Sequence, residues 1–325
     1  MVSEEFVMTG ESQAGARRFL PAALLVTAAF AVPLYELVRL SLKSELHSHL
    51  LLIPVVSWYV WKFLDGKSGA GVSSANSPLA VPAGVPQPGR PGDCGSRDGC
   101  STTTAYIVGG LGLAATAFYL FLRSTKRLPL TEYLWAGVLG YLLMLLAAGL
   151  FTMGWGRLRP HQFSIWFLAF FIPLPLALTD WMSVALQHGS AEVTDWMLQL
   201  TGLPVLREGL MFQLPRLVIK VAEECSGVRS TLVLFITSLI AGKMFLQTGW
   251  KRAALALVTI PLGLLRNAAR ITVLGWLSVN VDAGIINGPL HHQGGPIFFA
   301  LSLVPLFGLL WYFKRSESSK STKKS

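Results

Sequence analysis

The chain predicts an all-α polytopic membrane protein of about eight transmembrane helices with an extracytoplasmic interfacial segment, and three observations carry that reading. Of its 325 residues 52% are hydrophobic and the mean hydropathy is +0.53, more apolar than a soluble core of this length requires. Charged residues make up only 14% and fall in short clusters between apolar runs. Most of those runs are close to the roughly 20 residues that a helix needs to cross a bilayer.

The predicted spans run approximately Phe19 to Leu40, Leu50 to Leu64, Ala105 to Leu122, Tyr133 to Met153, Phe163 to Leu178, Ser230 to Leu246, Ala253 to Val279 and Pro296 to Phe313. The second and fifth are short, and Pro173 and Pro175 are expected to bend the end of the fifth. Residues 1–18 form an N-terminal tail. No cleavable signal peptide is expected, because Glu4 and Glu5 precede the first apolar run, which follows Arg17 and Arg18 and reads as a permanent anchor. Residues 19–64 hold the first two spans and 105–313 the membrane core, with the catalytic region expected in 163–313 and a basic tail in 314–325. Between them, 65–104 is rich in Gly, Pro and Ser without apolar period and is expected to be a disordered insertion.

A net charge of +10 does not indicate nucleic acid, because Lys and Arg lie next to the spans and in the basic tail. Arg17 and Arg18 and that tail predict cytoplasmic ends, hence an even number of spans. Arg123, Lys126 and Arg127 run against this topology. It makes Thr179 to Val228 extracytoplasmic. There Val193, Trp196, Met197 and Leu200 recur at helical spacing and Gly202 and Pro204 end the pattern, which fits an interfacial helix or one packed under the bundle. Cys94 and Cys100 lie in the insertion and Cys225 stands alone, so no disulfide framework is expected.

The unusual residues gather on that same side. Cys225 sits in Glu223-Glu224-Cys225-Ser226-Gly227-Val228-Arg229 just before an apolar run, so it is expected at a helix start, where the positive dipole end and Arg229 favour a thiolate and Glu223 and Glu224 oppose one. Such a cysteine is equally at home as an inert small apolar residue. The seventh span carries Leu265-Arg266-Asn267-Ala268-Ala269-Arg270, with two arginines one turn apart. Charge inside a span marks a functional site or snorkels from near a helix end. His291 and His292 precede Pro296, the expected first residue of the last span, where a histidine pair is either solvated or catalytic. Together these supply a nucleophile, a cationic oxyanion stabiliser and a general base.

Cys225-Ser226-Gly227, Asn267-x-x-Arg270, and His291 followed four residues on by Gly295 resemble the exosortase/archaeosortase family. Phe170-Phe171-Ile172-Pro173-Leu174-Pro175 and Ser48-His49 extend the resemblance to most of the chain outside the insertion. It implies a membrane cysteine protease or transpeptidase with Cys225, Arg270 and His291 as a sortase-like triad. Glu223, Asn267, His292 and Arg266 would be supporting residues. No cofactor or metal is implied. Substrates would be exported proteins whose C-terminal sorting signal has a short motif such as Pro-Glu-Pro, a transmembrane helix and a basic end. They would be cleaved through a thioacyl intermediate with transfer to an exopolysaccharide or other surface acceptor, or to water. The implied location is the inner membrane, with the active site extracytoplasmic. The family usually has an aromatic residue where this chain has Pro296, which leaves His292 as an alternative base. Glu223 would orient His291 or Arg270. A transporter or polysaccharide-export component binding an anion through Arg266 and Arg270 is the alternative, although no repeat relates the two halves. Glu223, Glu224, Cys225 and His291 as zinc ligands would lack a helical His-Glu-x-x-His pattern, and a rhomboid-like serine protease its nucleophile motif.

Overall fold

The computed structural model describes residues 10–65, 97–125, 128–215, 217–221, 227–282 and 295–322. The chain divides into two compact units, Met1–Pro175 and Leu176–Ser325. Among the described residues five helices are long and apolar enough to cross a membrane: Thr102–Ser124, Leu130–Met153, Val228–Phe245, Gly249–Asn280 and Gly295–Ser319. The number rises to seven when the interrupted pairs Arg17–Ala29 with Ala31–Lys43 and Trp155–Phe171 with Leu176–Leu200 each count as one span. The protein is an all-α polytopic membrane protein, with one small sheet among the described residues. Its exposed apolar residues fall in stripes, such as Ile297, Leu301, Val304 and Trp311 on one helix, as lipid-facing positions should.

The first unit contains α1 (Gly10–Ala29), α2 (Ala31–Lys43), α3 (Leu52–Val60), α4 (Arg97–Ser124), α5 (Leu130–Met153), α6 (Trp155–Leu158) and α7 (Gln162–Phe167). α4 and α5 pack closely where glycines face them. A Cβ on Gly140 would meet Thr116 Oγ1 at 2.7 Å, and one on Gly112 would meet Met144 at 3.1 Å. Arg123 is neutralised by Glu36 at 3.1 Å and donates to the Tyr119 hydroxyl at 2.7 Å. The expected second span is a succession of a 3-10 segment (Glu45–Leu51), α3 and a π turn (Trp61–Asp65), and it is not one of the candidate spans. In the 3-10 turn His47 is buried, with Nδ1 3.0 Å from Ser44 Oγ and Nε2 without a hydrogen-bond partner among the described residues. Burial, and then the neighbouring His49, hold its pKa below the ordinary histidine value.

The second unit contains α8 (Leu176–Leu200), β1 (Leu206–Glu208), β2 (Met211–Leu214), β3 (Leu217–Lys220), α9 (Val228–Phe245), α10 (Gly249–Leu257), α11 (Thr259–Asn280) and α12 (Gly295–Thr322). The bend expected from Pro173 and Pro175 is present and sharper than a bend: Ile172–Pro175 is non-helical, because prolines 173 and 175 donate no hydrogen bond and disfavour helical geometry in the residues before them. The helical pattern expected over Val193 to Leu200 extends further back, as the end of the 25-residue α8, and closes at Gly202, φ +72°. The break between α10 and α11 at Val258 follows from Pro261, which cannot bond the carbonyl four residues back.

The sheet was not expected. It runs β1-β2-β3, antiparallel throughout, with Arg207 opposite Phe212 and Phe212 opposite Ile219. Gly209, φ +62°, makes the two-residue turn between β1 and β2. Phe212 is 0% exposed and packs with Ala191, Leu198, Leu214, Val221 and Ile271, so the inner face of the sheet closes on α8 and α11. Arg207 clamps β1 to α8 through both oxygens of Glu192, at 2.9 and 2.6 Å. The bonds to Glu192 raise the Arg207 pKa above its ordinary value.

At the opposite end of the unit lies a polar knot. Lys251, 4% exposed, donates to the Phe313 carbonyl at 3.0 Å and lies 3.8 Å from Glu317. Glu317 accepts the Gln247 and Thr248 N–H groups at 3.0 Å each, and Arg252 donates twice to the Leu246 carbonyl. Above the knot, Leu234, Leu246, Leu255, Leu306 and Leu310 form the core between α9, α10 and α12.

Two outcomes are expected. The depressed His47 pKa stabilises the fold above the ordinary histidine pKa, and that stability is lost as pH falls through the folded value. His47→Gln should therefore flatten the acid limb of a plot of melting temperature against pH. A Cβ on Gly263 overlaps Thr231 Oγ1, so Gly263→Ala should cost about 1–3 kcal/mol, and adding Thr231→Ala should return part of it in a double-mutant cycle of melting in detergent.

Candidate active site

α11 carries the polar residues singled out from the sequence. Its buried face reads Thr259, Gly263, Arg266, Asn267, Ile271, Leu274, Gly275 and Ser278, while Leu265, Val273 and Trp276 face outward. Such polar-inside, apolar-outside order is what a spanning helix adopts when its polar groups need protein partners. Small residues bring the neighbouring helices close. A Cβ on Gly189 of α8 would meet Leu264 at 3.0 Å, and Gly263 faces Thr231 of α9.

Asn267, 4% exposed, donates from Nδ2 to Ser190 Oγ on α8 at 3.1 Å. Arg266 is 9% exposed. Its Nη2 donates to the Gly227 carbonyl at 3.5 Å, and its buried Nη1 has no hydrogen-bond partner among the described residues. Gly227 caps α9 with φ +74°, a conformation that side-chain-bearing residues rarely adopt, and a Cβ there would stand 3.0 Å from Arg266 Nη2. α9 starts at Val228, two residues before the predicted span. Arg270 lies half-buried one turn further along α11, and Arg229 is exposed on the first turn of α9. Cys225, Glu223, His291 and His292 lie outside the described residues, as do Glu224 and the insertion cysteine Cys94. Among the described residues no three His, Cys, Asp or Glu side chains gather as metal ligands.

Helix rise puts these positions at one level. From the polar knot at Leu246, Lys251 and Phe313, a rise of about 1.5 Å per residue gives about 29 Å along α9 to Gly227, about 23 Å along α10 and α11 to Arg266, and about 27 Å along α12 to Gly295. That is close to the roughly 30 Å hydrocarbon thickness of a bilayer. Gly227, Arg266 and Gly295 thus stand near one membrane surface and the knot near the other.

Sequence reasoning found Arg266, Asn267 and Gly227 but missed Ser190, Thr231 and Gly263. The available signals were the small-residue run Gly189-Ser190-Ala191 inside a helix and the four-residue spacing from Gly263 to Asn267.

A helical membrane protein with a polar cluster between three helices at one surface is the class that this geometry defines. The chain belongs to the transmembrane exosortase family, whose profile matches residues 40–308. No curated protein and no solved structure matches it. Membership supports an exosortase-type activity in a multi-pass membrane protein and implies exported proteins as substrates.

Asn267→Ala should lower stability by about 1–3 kcal/mol by leaving buried Ser190 Oγ without its donor. The Asn267→Ala, Ser190→Ala double variant should lose less than the sum of the single changes, as read by melting in detergent micelles.

Proposed function

We propose that this protein is an exosortase that cleaves the C-terminal sorting signal of exported proteins by a thiol mechanism, with Cys225 as nucleophile, His291 as general base and Arg270 as oxyanion stabiliser. The observation that carries the reading is the common level of Gly227, Arg266 and Gly295 in a chain of this family. Cys225 precedes Gly227 by two residues, Arg270 follows Arg266 by one turn, and His291 precedes Gly295 by four residues. Lys243, Lys251, Arg252, Lys314 and Arg315 lie around the knot end, and the positive-inside rule supports that end as cytoplasmic. The opposite end is then extracytoplasmic, in the inner membrane.

His291 takes the thiol proton and the Cys225 sulfur attacks the scissile carbonyl. Arg270 offsets the charge that develops on the carbonyl oxygen. Collapse of the tetrahedral species breaks the C–N bond, the departing amine takes the proton from His291, and a thioacyl enzyme remains. An acceptor amine or water then attacks it and returns the thiol. Glu223 orients His291 or Arg270, and Asn267, held by Ser190, fixes the helix turn that carries Arg270. Arg266 ties that turn to the Gly227 carbonyl. The substrate signal contains a short motif such as Pro-Glu-Pro, a transmembrane helix and a basic end, and the acceptor is an exopolysaccharide or another surface group.

Co-expression with such a substrate and immunoblotting should show processing by wild type and a loss of at least about hundredfold in Cys225→Ala, Arg270→Ala and His291→Ala, with each variant still present in membranes. Normal cleavage by Cys225→Ala would overturn the thiol mechanism. Survival in His291→Ala alone would move the base to His292.

A further inference from the structure

The sheet ends in a free edge that leads toward the proposed nucleophile. The Val221 N–H donates to the Leu210 carbonyl at 2.9 Å, which makes Val221 and Leu210 a hydrogen-bonded pair. Such pairs alternate along an antiparallel ladder, so Ile219 with Phe212 and Leu217 with Leu214 also face inward. The N–H and C=O groups of Val218 and Lys220 therefore point away from β2. Among the described residues β3 has no strand on that side. Side chains agree with this alternation: Phe212 and Val221 are buried, whereas Val218 is 61% exposed and Lys220 is exposed too.

Resting on the reading above, we propose that the edge of β3 binds the extended substrate segment next to the cleaved bond as a fourth strand. The outward groups of Val218 and Lys220 are about 7 Å apart, the repeat at which an extended peptide presents its own alternate backbone groups. Main-chain pairing of this kind supplies affinity that does not depend on the peptide's side chains. Lys220 disfavours a second copy of the same strand and favours a neutral or acidic peptide. Cys225 is five positions after Lys220, so the Lys220 end of this edge lies within about 17 Å of the Cys225 backbone by chain reach alone. The other edge of the sheet is poorer. Only Arg207 turns its backbone outward on β1, and β1 lies 17 residues or more before Cys225.

Binding is measured in full-length Cys225→Ala protein in nanodiscs, with a fluorescent synthetic peptide spanning the cleavage region of the co-expressed substrate. The test therefore needs no catalysis and is separate from the cleavage assay. Val218→Pro removes one outward N–H without touching the β2 ladder and should weaken binding about 5- to 10-fold, while Val218→Ala should change it less than twofold. A photocrosslinking residue at position 220 should capture the peptide and one at position 208 should not. Unchanged binding in a folded Val218→Pro protein, or capture at 208 and not at 220, would overturn the proposal. If Val218→Pro fails to fold, the crosslinking pair decides. Cleavage by Cys225→Ala with capture at 220 would overturn the thiol mechanism and leave the docking edge standing.

Discussion

Within the second unit the arrangement depends on the polar knot at Lys251. A cation that is only 4% exposed at a span end needs partners, and Lys251 finds the Phe313 carbonyl and the Glu317 carboxylate. Glu317 in turn caps the backbone between α9 and α10. Three helices are thereby joined at one level, and each continues away from the knot for about one bilayer thickness. The alignment of Gly227, Arg266 and Gly295 follows from that shared origin, and the bond from Arg266 to the Gly227 carbonyl holds two of the three together.

The far end is organised by the opposite device, close approach of small residues. Gly189 against Leu264 and Gly263 against Thr231 bring α8 and α9 onto α11 and leave room for the Asn267 to Ser190 bond. Arg266 then reaches the Gly227 carbonyl, where the positive φ of Gly227 turns the chain into α9. Buried polar groups of this kind favour one packing, because a shift of α11 breaks the bond between Asn267 and Ser190 in the protein interior.

α8, the sheet and the end of α11 form an outer layer with its own core around Phe212. Arg207 pins the sheet to α8, and Ile219 reaches α11 at Gly275, where a Cβ would stand 3.0 Å away. The layer is packed on its inner face, while among the described residues its β3 edge pairs with no further strand, a combination suited to receiving a chain in extended form.

The spans and their polar interruptions were legible without coordinates because they depend on local composition: apolar runs near 20 residues, arginines within one, and prolines 173 and 175 where helix gives way. The family was legible for the same reason, since Cys225-Ser226-Gly227, Asn267-x-x-Arg270 and His291-x-x-x-Gly295 are short and local. Three features were not legible. The sheet needed the register of Phe212 against Ile219, the length of α8 needed α11 to pack against, and the second expected span changed helix type twice, from 3-10 to α to π. Tertiary structure alone decided that Lys251 meets Phe313, that Asn267 meets Ser190 and that Val221 meets Leu210. Each joins residues 11 to 77 positions apart, where local pattern carries no information and only the packing of whole elements selects the partner.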